Sequence, residues 1–502
     1  MGGIEELLSG LRLFLGVKEV LLAGVGVLLG ITIGVLPGIG PLLGVILLTP
    51  FCLKLSPVAG MSMLIGVYVG GSYGGAISAA LIRIPGTPIA AATLLEAYPM
   101  AQKGRASEAV GLATSASALG GLIGGVFLII AAPQLARVAL KFNPPEIFAL
   151  TFIGLTCIAA VSKGSTAKGL IAGGFGLIIA MMGTDPFTGY DRFTFGNPNL
   201  TGGIRFVALL VGLFAISEMF IQIEKGLKGE AITKKLEPMW SSLKDVLSKP
   251  VNLIRSSLIG VGIGAIPGVG AVTSSYISYS AARSASEHPE KFGTGVPEGV
   301  VATEAANNAT CGGALIPALA LGIPGDPITA VLIGALMLQG LLPGPQLFKL
   351  HIDIVYGLFI AYIVCNVFLW IIGTSLAPLW GYILRTKKNI LMPVIILLSI
   401  LGTYAVQMSM FDIWSMWIFG VVGYAMRKTG FPLAPLVIAR ILGPIVEPAF
   451  RRSMMFSGGD ITIFLTRPIS LVFVIIVIII LTWPLFKFLL KGDLRKKKIF
   501  SS

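Results

Sequence analysis

Glu304, Asn307 and Asn308 stand three and four residues apart in the stretch EGVVATEAANNATCGGALIPALAL at 298–321. On a helix that spacing sets a carboxylate and two amides on one face, ahead of an apolar run without water. Amide N–H groups donate to a substrate carboxylate, whereas amide and carboxylate oxygens hold Na⁺. An interhelical hydrogen-bond staple needs the same residues. The cluster GGSYGGAIS at 70–78 adds hydroxyls at Ser72, Tyr73 and Ser78, with Gly74 among small residues suited to close helix crossing. Arg83, directly before Ile84-Pro85-Gly86, is a cation in an apolar stretch. Such a charge is a functional residue by default, with an interfacial snorkelling arginine as the other reading. Asp326 opens the segment after Ile323-Pro324-Gly325, where an acid either meets a ligand or caps free N–H groups.

These residues must be positioned by elements that break. GVLPGIGP at 34–41 reappears as GAIPGVGA at 264–271, and IPGTP at 84–88 reappears as IPGDP at 323–327, with offsets of 267 − 37 = 230 and 324 − 85 = 239 at the prolines. A fainter match sets Thr184-Asp185-Pro186 against Gly430-Phe431-Pro432, offset 246. Proline removes a backbone donor and glycine permits angles other residues avoid, so helices end at these points. Inside a bilayer the freed backbone groups survive only when buried in protein or lining a watery cavity. Facing half-helices offer N-terminal dipole ends to a carboxylate and carbonyl ends to a cation. The substrate set expected on this reasoning is Ser72, Tyr73, Gly74, Ser78, Arg83, Pro85, Gly86, Asn307, Asn308 and Gly325. The coupling-cation set is Gly38, Gly40, Gly268, Gly270, Glu304 and Asp326. Both sets require Pro37, Pro85, Pro267 and Pro324 to converge, and symmetry would place Arg83 opposite Asp326.

The 502 residues are 55% hydrophobic and 12% charged, with a mean hydropathy of +0.90. Ordinary soluble domains carry about 25% charged residues, so the chain reads as an all-α polytopic membrane protein. About twelve transmembrane helices are expected, plus re-entrant or broken helices, in two inverted repeats. The boundaries follow as an N-terminal repeat over 1–222, a basic linker over 223–252 and a C-terminal repeat over 253–450. A final loop and helix occupy 451–490, and a basic tail 491–502. The net charge of +14 comes from 37 Lys and Arg less 23 Asp and Glu. Much of the excess sits in the linker and the tail, which the positive-inside rule places in the cytoplasm; nucleic acid is not the implied partner. Working back from the linker puts loop 183–202 outside and makes the two halves antiparallel, with Arg137 and Lys141 the exceptions. The amphipathic start, 1–17, is read as retained. Four scattered cysteines read as buried hydrophobes. Two histidines leave little material for a metal centre or a catalytic triad, and no cofactor beyond a coupling Na⁺ or H⁺ is expected.

Both Pro-Gly elements, GGSYGGAI, Tyr98-Pro99-Met100-Ala101, Lys103-Gly104 and the stretch 292–348 together resemble the large membrane subunit of tripartite tricarboxylate transporters. The resemblance covers nearly the whole chain. It implies a secondary transporter importing carboxylates, working with a small four-helix membrane subunit and an extracytoplasmic solute-binding protein. The chain departs from that pattern with Glu96-Ala97 in place of Asp-Gly, Asp326 in place of serine and Arg83 in place of asparagine.

The residues themselves bound the energy supply. No Gly-Lys dipeptide occurs, so there is no P-loop. Importing an anion against a negative-inside potential costs about 2.3 kcal/mol per charge per 100 mV, hence about 5 for a dicarboxylate. Two co-imported cations offset that. The expectation is a cation-coupled carboxylate importer in the cell membrane. The alternatives are a membrane enzyme acting on a lipid-linked substrate, which wants paired acids with a metal, and a passive anion channel, which equilibrates without accumulating.

Overall fold

The computed structural model describes residues 4–36, 39–161, 166–224, 236–384 and 388–482. Pro37, Gly38, the linker lysines from Lys225 to Lys235 and the tail lie outside them. The described chain is all α apart from one two-residue hairpin pairing Gly183–Thr184 with Asp191–Arg192. In chain order its helices begin with α1 (Ile4–Phe14), α2 (Val17–Val35), α3 (Gly40–Cys52), α4 (Pro57–Ile82), α5 (Leu94–Gln102) and α6 (Ala106–Ala139). Next come α7 (Pro144–Val161), α8 (Thr166–Ala180), α9 (Phe206–Leu210), α10 (Ser217–Glu224) and α11 (Ser242–Leu247). The second half brings α12 (Pro250–Gly264), α13 (Gly270–Ser284), α14 (Pro297–Leu321), α15 (Pro327–Leu338), α16 (Pro345–Leu350) and α17 (Ile352–Ser375). Last are α18 (Ala377–Ile383), α19 (Lys388–Gln407), α20 (Met410–Lys428), α21 (Ala434–Phe456) and α22 (Ile463–Thr466).

The chain breaks where proline and glycine fall. Helix α2 gives way at Leu36, and α3 starts at Gly40 in the left-handed region (φ 69°) with Pro41 in its first turn. Helix α4 stops at Arg83, itself left-handed (φ 57°), before Ile84-Pro85-Gly86. Helices α12 and α14 stop in the same way before Pro267 and Pro324, the latter at left-handed Gly322 (φ 72°).

Among the described residues five helices are long and apolar enough to span a bilayer: α2, α4, α6, the continuous run Phe206–Glu224 and α17. That is fewer than the runs counted from composition. Helix α6 extends to 34 residues, well past the ~20 that a span needs. Helix α14 has 25 residues but falls short in hydropathy because Glu298, Thr303, Glu304, Asn307, Asn308 and Thr310 lie along it. Helices α8, α12 and α13 have 15 residues each, about 22 Å, less than the ~30 Å hydrocarbon core.

Glycine brings the breaks into register. On α2 a side chain at Gly30 or Gly34 would run into the backbone of Val67 or Gly71 on α4. On α12 a side chain at Gly260 or Gly264 would run into the backbone of Ala306 or Thr310 on α14. The glycines differ by 260 − 30 = 264 − 34 = 230 and their partners by 306 − 67 = 310 − 71 = 239, the two offsets of the Pro-Gly elements. Gly264→Val is therefore expected to cost about 3 kcal/mol by overpacking. Gly262→Val, two residues along where nothing lies within 4 Å, is expected to be silent. Thermal unfolding of the two variants in detergent checks the pair.

The helices form two compact units, residues 1–140 with 205–424 and residues 141–204 with 425–502. The first is built around α4 and α14, both buried along almost their full length. In the second, α21 packs on α7 and α8. Phe148 meets Phe450 and Phe464, and Arg467 reaches buried Glu146 at 2.5 Å. Asp185 in the loop 185–190 accepts from Thr188 and Arg451 side chains and the Phe187 N–H, which hold its carboxyl well below the usual range. Those contacts thus stay charged as pH falls through the ordinary carboxylate range.

Candidate functional site

In the first unit α4 and α14 cross with their polar residues facing each other. The offset of 239 makes Tyr68, Val69 and Ser72 of α4 the counterparts of Asn307, Asn308 and Cys311 of α14. The Cys311 thiol lies 3.5 Å from Ser72 Oγ, and the Asn308 amide donates to the Val69 carbonyl at 3.3 Å. In these two pairs a residue touches its own counterpart. The Asn307 amide donates to the Ser72 carbonyl at 3.0 Å, and the counterpart contact, Tyr68 with Cys311, is also made.

Glu304 lies one turn before, with no exposed surface. Its carboxylate accepts from Thr93, from Ser117 at 2.7 Å and from the Asn307 amide at 3.4 Å. No cationic side chain pairs with it among the described residues. A buried carboxylate held by neutral donors alone is costly unless a proton or a bound cation neutralises it. Beside it the Oδ1 atoms of Asn307 and Asn308 are buried without a hydrogen-bond partner, while each amide uses an N–H on an α4 carbonyl. Amide oxygens without donors suit a cation.

Asp326 performs the capping expected of an acid there. Its side chain accepts the Thr329 N–H at 2.7 Å, and Thr329 Oγ1 accepts the Asp326 N–H at 3.0 Å. It also accepts the Tyr68 hydroxyl at 2.5 Å, so α4 reaches the second-half break directly. Its counterpart Thr87, at 326 − 239, has a buried hydroxyl without a partner.

The breaks meet in pairs. The Gly268 N–H donates to the Gly325 carbonyl at 2.8 Å, joining the elements of Pro267 and Pro324. In the first half the Gly86 N–H bonds the Gly75 carbonyl at 3.3 Å, and Gly86 packs so closely on the Gly34 carbonyl that no side chain fits. Gly40 faces Thr87, and Gly74 packs on the Ile31 carbonyl. Gly270 is left-handed (φ 71°) at the start of α13.

Of the expected residues, the crossing gathers Ser72, Asn307, Asn308 and Glu304, with Asp326 joined through Tyr68. Three others point elsewhere. The Tyr73 hydroxyl pairs with Thr114 of α6 at 2.6 Å. Ser78 bonds the Gly75 carbonyl of its own helix at 3.1 Å. Arg83 is exposed with its guanidinium 5.5 Å from the centre of the Tyr98 ring, and Tyr68 holds Asp326 in its place. Pro85 is half-buried, and Gly38 lies outside the described residues.

Sequence reasoning missed Tyr68, Thr93 and Ser117, and gave Glu96 no role. Glu96 begins α5 and has no exposed surface. It accepts from the Tyr279 hydroxyl at 2.7 Å and from the N–H groups of Gly293, Gly295 (2.7 Å) and Val296 (2.8 Å). Nearby, Lys103 donates to the Thr294 carbonyl at 2.7 Å. These bonds tie α5 to the loop before α14, and Thr93, three residues earlier, bonds Glu304. Glu96→Ala leaves four donors without their acceptor, a loss of several kcal/mol since hydrogen bonds to charged groups contribute about 1.5–3 each. Maleimide labelling of Cys311, with the other cysteines changed to serine, is expected to accelerate by about tenfold or more. An unchanged rate would show that the tie does not close the centre.

Comparison with known proteins points the same way. Residues 20–438 match the family described as "Tripartite tricarboxylate transporter TctA family". An uncharacterised 52.8 kDa protein in the TAR-I ttuC' 3' region of Agrobacterium vitis is 38% identical over 426 residues, 85% of each chain. An uncharacterised protein in the TAR-II ttuC' 3' region of the same organism is 37% identical over 208 residues, 41% of this chain and 86% of its own. No solved structure matches. With the match spanning both Pro-Gly pairs and the α4–α14 crossing, the chain belongs to the tripartite tricarboxylate transporter TctA family, and is a multi-pass membrane protein.

Proposed function

We propose that the chain is a cation-coupled importer of small di- or tricarboxylates. It takes substrate from an extracytoplasmic binding protein and acts in the cell membrane with a small four-helix subunit. The observation that carries this reading is the acceptor cluster at the α4–α14 crossing: Glu304 with no cationic partner beside two amide oxygens with no donor. A coupling Na⁺ supplies the missing positive charge to these oxygens, or H⁺ neutralises the carboxylate alone.

Contacts between each residue and its own counterpart are the mark of a surface meeting its copy across a two-fold axis. Val69 with Asn308 and Ser72 with Cys311 support two repeats related in that way. With the linker inside and loop 183–202 outside, the axis lies in the membrane plane and the repeats are inverted. In the conformation described here the crossing is closed. Asn307 and Asn308 are fully buried in it, so a substrate carboxylate reaches their N–H groups only when the crossing opens. Binding and opening of the crossing are then one event, with the breaks at Gly86 and Gly325 as the hinges beside it.

The test is uptake into proteoliposomes with mono-, di- and tricarboxylates, with and without a binding protein, under imposed Na⁺ or pH gradients. Accumulation above the external concentration that requires the gradient supports the proposal. Equilibration alone would identify a channel.

A further inference from the structure

Among the described residues no carboxylate pairs with the guanidinium of Arg440 on α21. One of its terminal N–H groups donates to the Ile204 carbonyl at 3.1 Å, while its Nε is buried with no partner. The acids of the same unit that reach arginines are already committed. Arg192 holds Glu447 at 2.6 Å, Arg451 holds Asp185 at 2.8 Å and Glu447 at 3.3 Å, and Arg467 holds Glu146 at 2.5 Å. Glu447 and Arg451 follow Arg440 by seven and eleven residues, so the three share one face of α21. Along that face the charges past Arg440 pair off, and one positive charge is left over. The helix is also interrupted at that point. Pro444 cannot supply the N–H that would bond the Arg440 carbonyl, and Gly443 lets α21 close on Ala180 of α8.

A partly buried cation without a counter-charge is a binding-site signal, because a buried guanidinium is tolerated only when something pairs with it. Its planar donors match a carboxylate or a phosphate. We propose that Arg440 binds an oxyanion, either a soluble carboxylate or phosphate or the phosphate of an anionic lipid. The site uses α21 and the end of the 183–204 loop, not the elements that hold Glu304. It also lies just beyond residue 438, where the family match ends.

The experiment uses the full chain in nanodiscs and reads the thermal unfolding midpoint against tricarballylate and against inorganic phosphate. Discs of phosphatidylcholine alone are compared with discs containing phosphatidylglycerol. A midpoint raised by either soluble anion, with R440Q needing about tenfold more anion, supports a soluble oxyanion. A rise seen only with phosphatidylglycerol and lost in R440Q assigns the site to a lipid phosphate. R440K keeps the charge without the fork, so it serves if R440Q does not fold, with an expected loss of about threefold. N307L is expected to alter at most the tricarballylate response and to keep the wild-type responses to inorganic phosphate and to phosphatidylglycerol, which separates this site from the α4–α14 crossing. Equal responses of wild type and the Arg440 variants, or no response to any of the three anions, would overturn the assignment.

Discussion

Asn307→Leu is expected to abolish uptake while leaving the protein in the membrane at its normal abundance. Leucine keeps the volume of asparagine and removes both polar atoms. In the closed crossing the change takes one donor from Glu304 and one from the Ser72 carbonyl, and it deletes an oxygen that has no partner. Loss of the amide N–H weakens the grip on α4, which favours opening; loss of the oxygen deprives the centre of a ligand. If that oxygen holds the coupling cation, the interaction with a charge is worth about 3 kcal/mol, or about a 100-fold drop in initial uptake rate. Asn308→Leu is expected to act alike, since its amide spends its N–H on Val69 and its oxygen is equally unpartnered. Initial rates of labelled substrate uptake, normalised to immunoblotted membrane protein, give the result. Normal transport by both variants would remove the asparagines from the site and leave them as a staple between helices.

The elements of this site could be read from sequence where a residue type forces the backbone. Proline without an N–H and glycine at positive φ end a helix whatever surrounds them, so the four breaks were visible, and so was their pairing through two constant offsets. The stripe of Glu304, Asn307 and Asn308 was visible because polar groups in an apolar helix need partners. Direction was not visible. Tyr73 sits beside Ser72 in the chain, but one residue on a helix turns a side chain by about 100°, toward Thr114 of α6 and away from the crossing. Arg83 took a left-handed angle at the end of α4, which turned it out toward Tyr98. Glu96 was hidden for another reason: an acid in a first turn reads as a favourable dipole charge. Its actual donors, Gly293, Gly295 and Val296, lie about two hundred residues away, and no local pattern links them to it.

Glu304→Gln is expected to separate exchange from accumulation. Glutamine preserves the length of the side chain and an oxygen that accepts from Thr93 or Ser117, so the crossing still closes. It fixes the site in a neutral state, with no negative charge to balance a cation and no proton to release. A carrier whose driving ion binds Glu304 then moves substrate both ways but no longer senses the gradient. Labelled substrate should still exchange with unlabelled substrate preloaded in proteoliposomes, within a few-fold of the wild-type rate. Net accumulation under an imposed Na⁺ or pH gradient should disappear. Whichever gradient drives the wild type identifies the ion, and Glu304→Asp tests the geometry. Aspartate keeps the charge but draws the carboxylate back by one methylene, about 1.5 Å, away from Thr93 and Ser117, so it should retain coupling with a weakened affinity for the ion. Gradient-driven accumulation by Glu304→Gln at the wild-type level would place coupling elsewhere. It would leave Asp326, which Tyr68 ties to α4, as the remaining acid at the breaks.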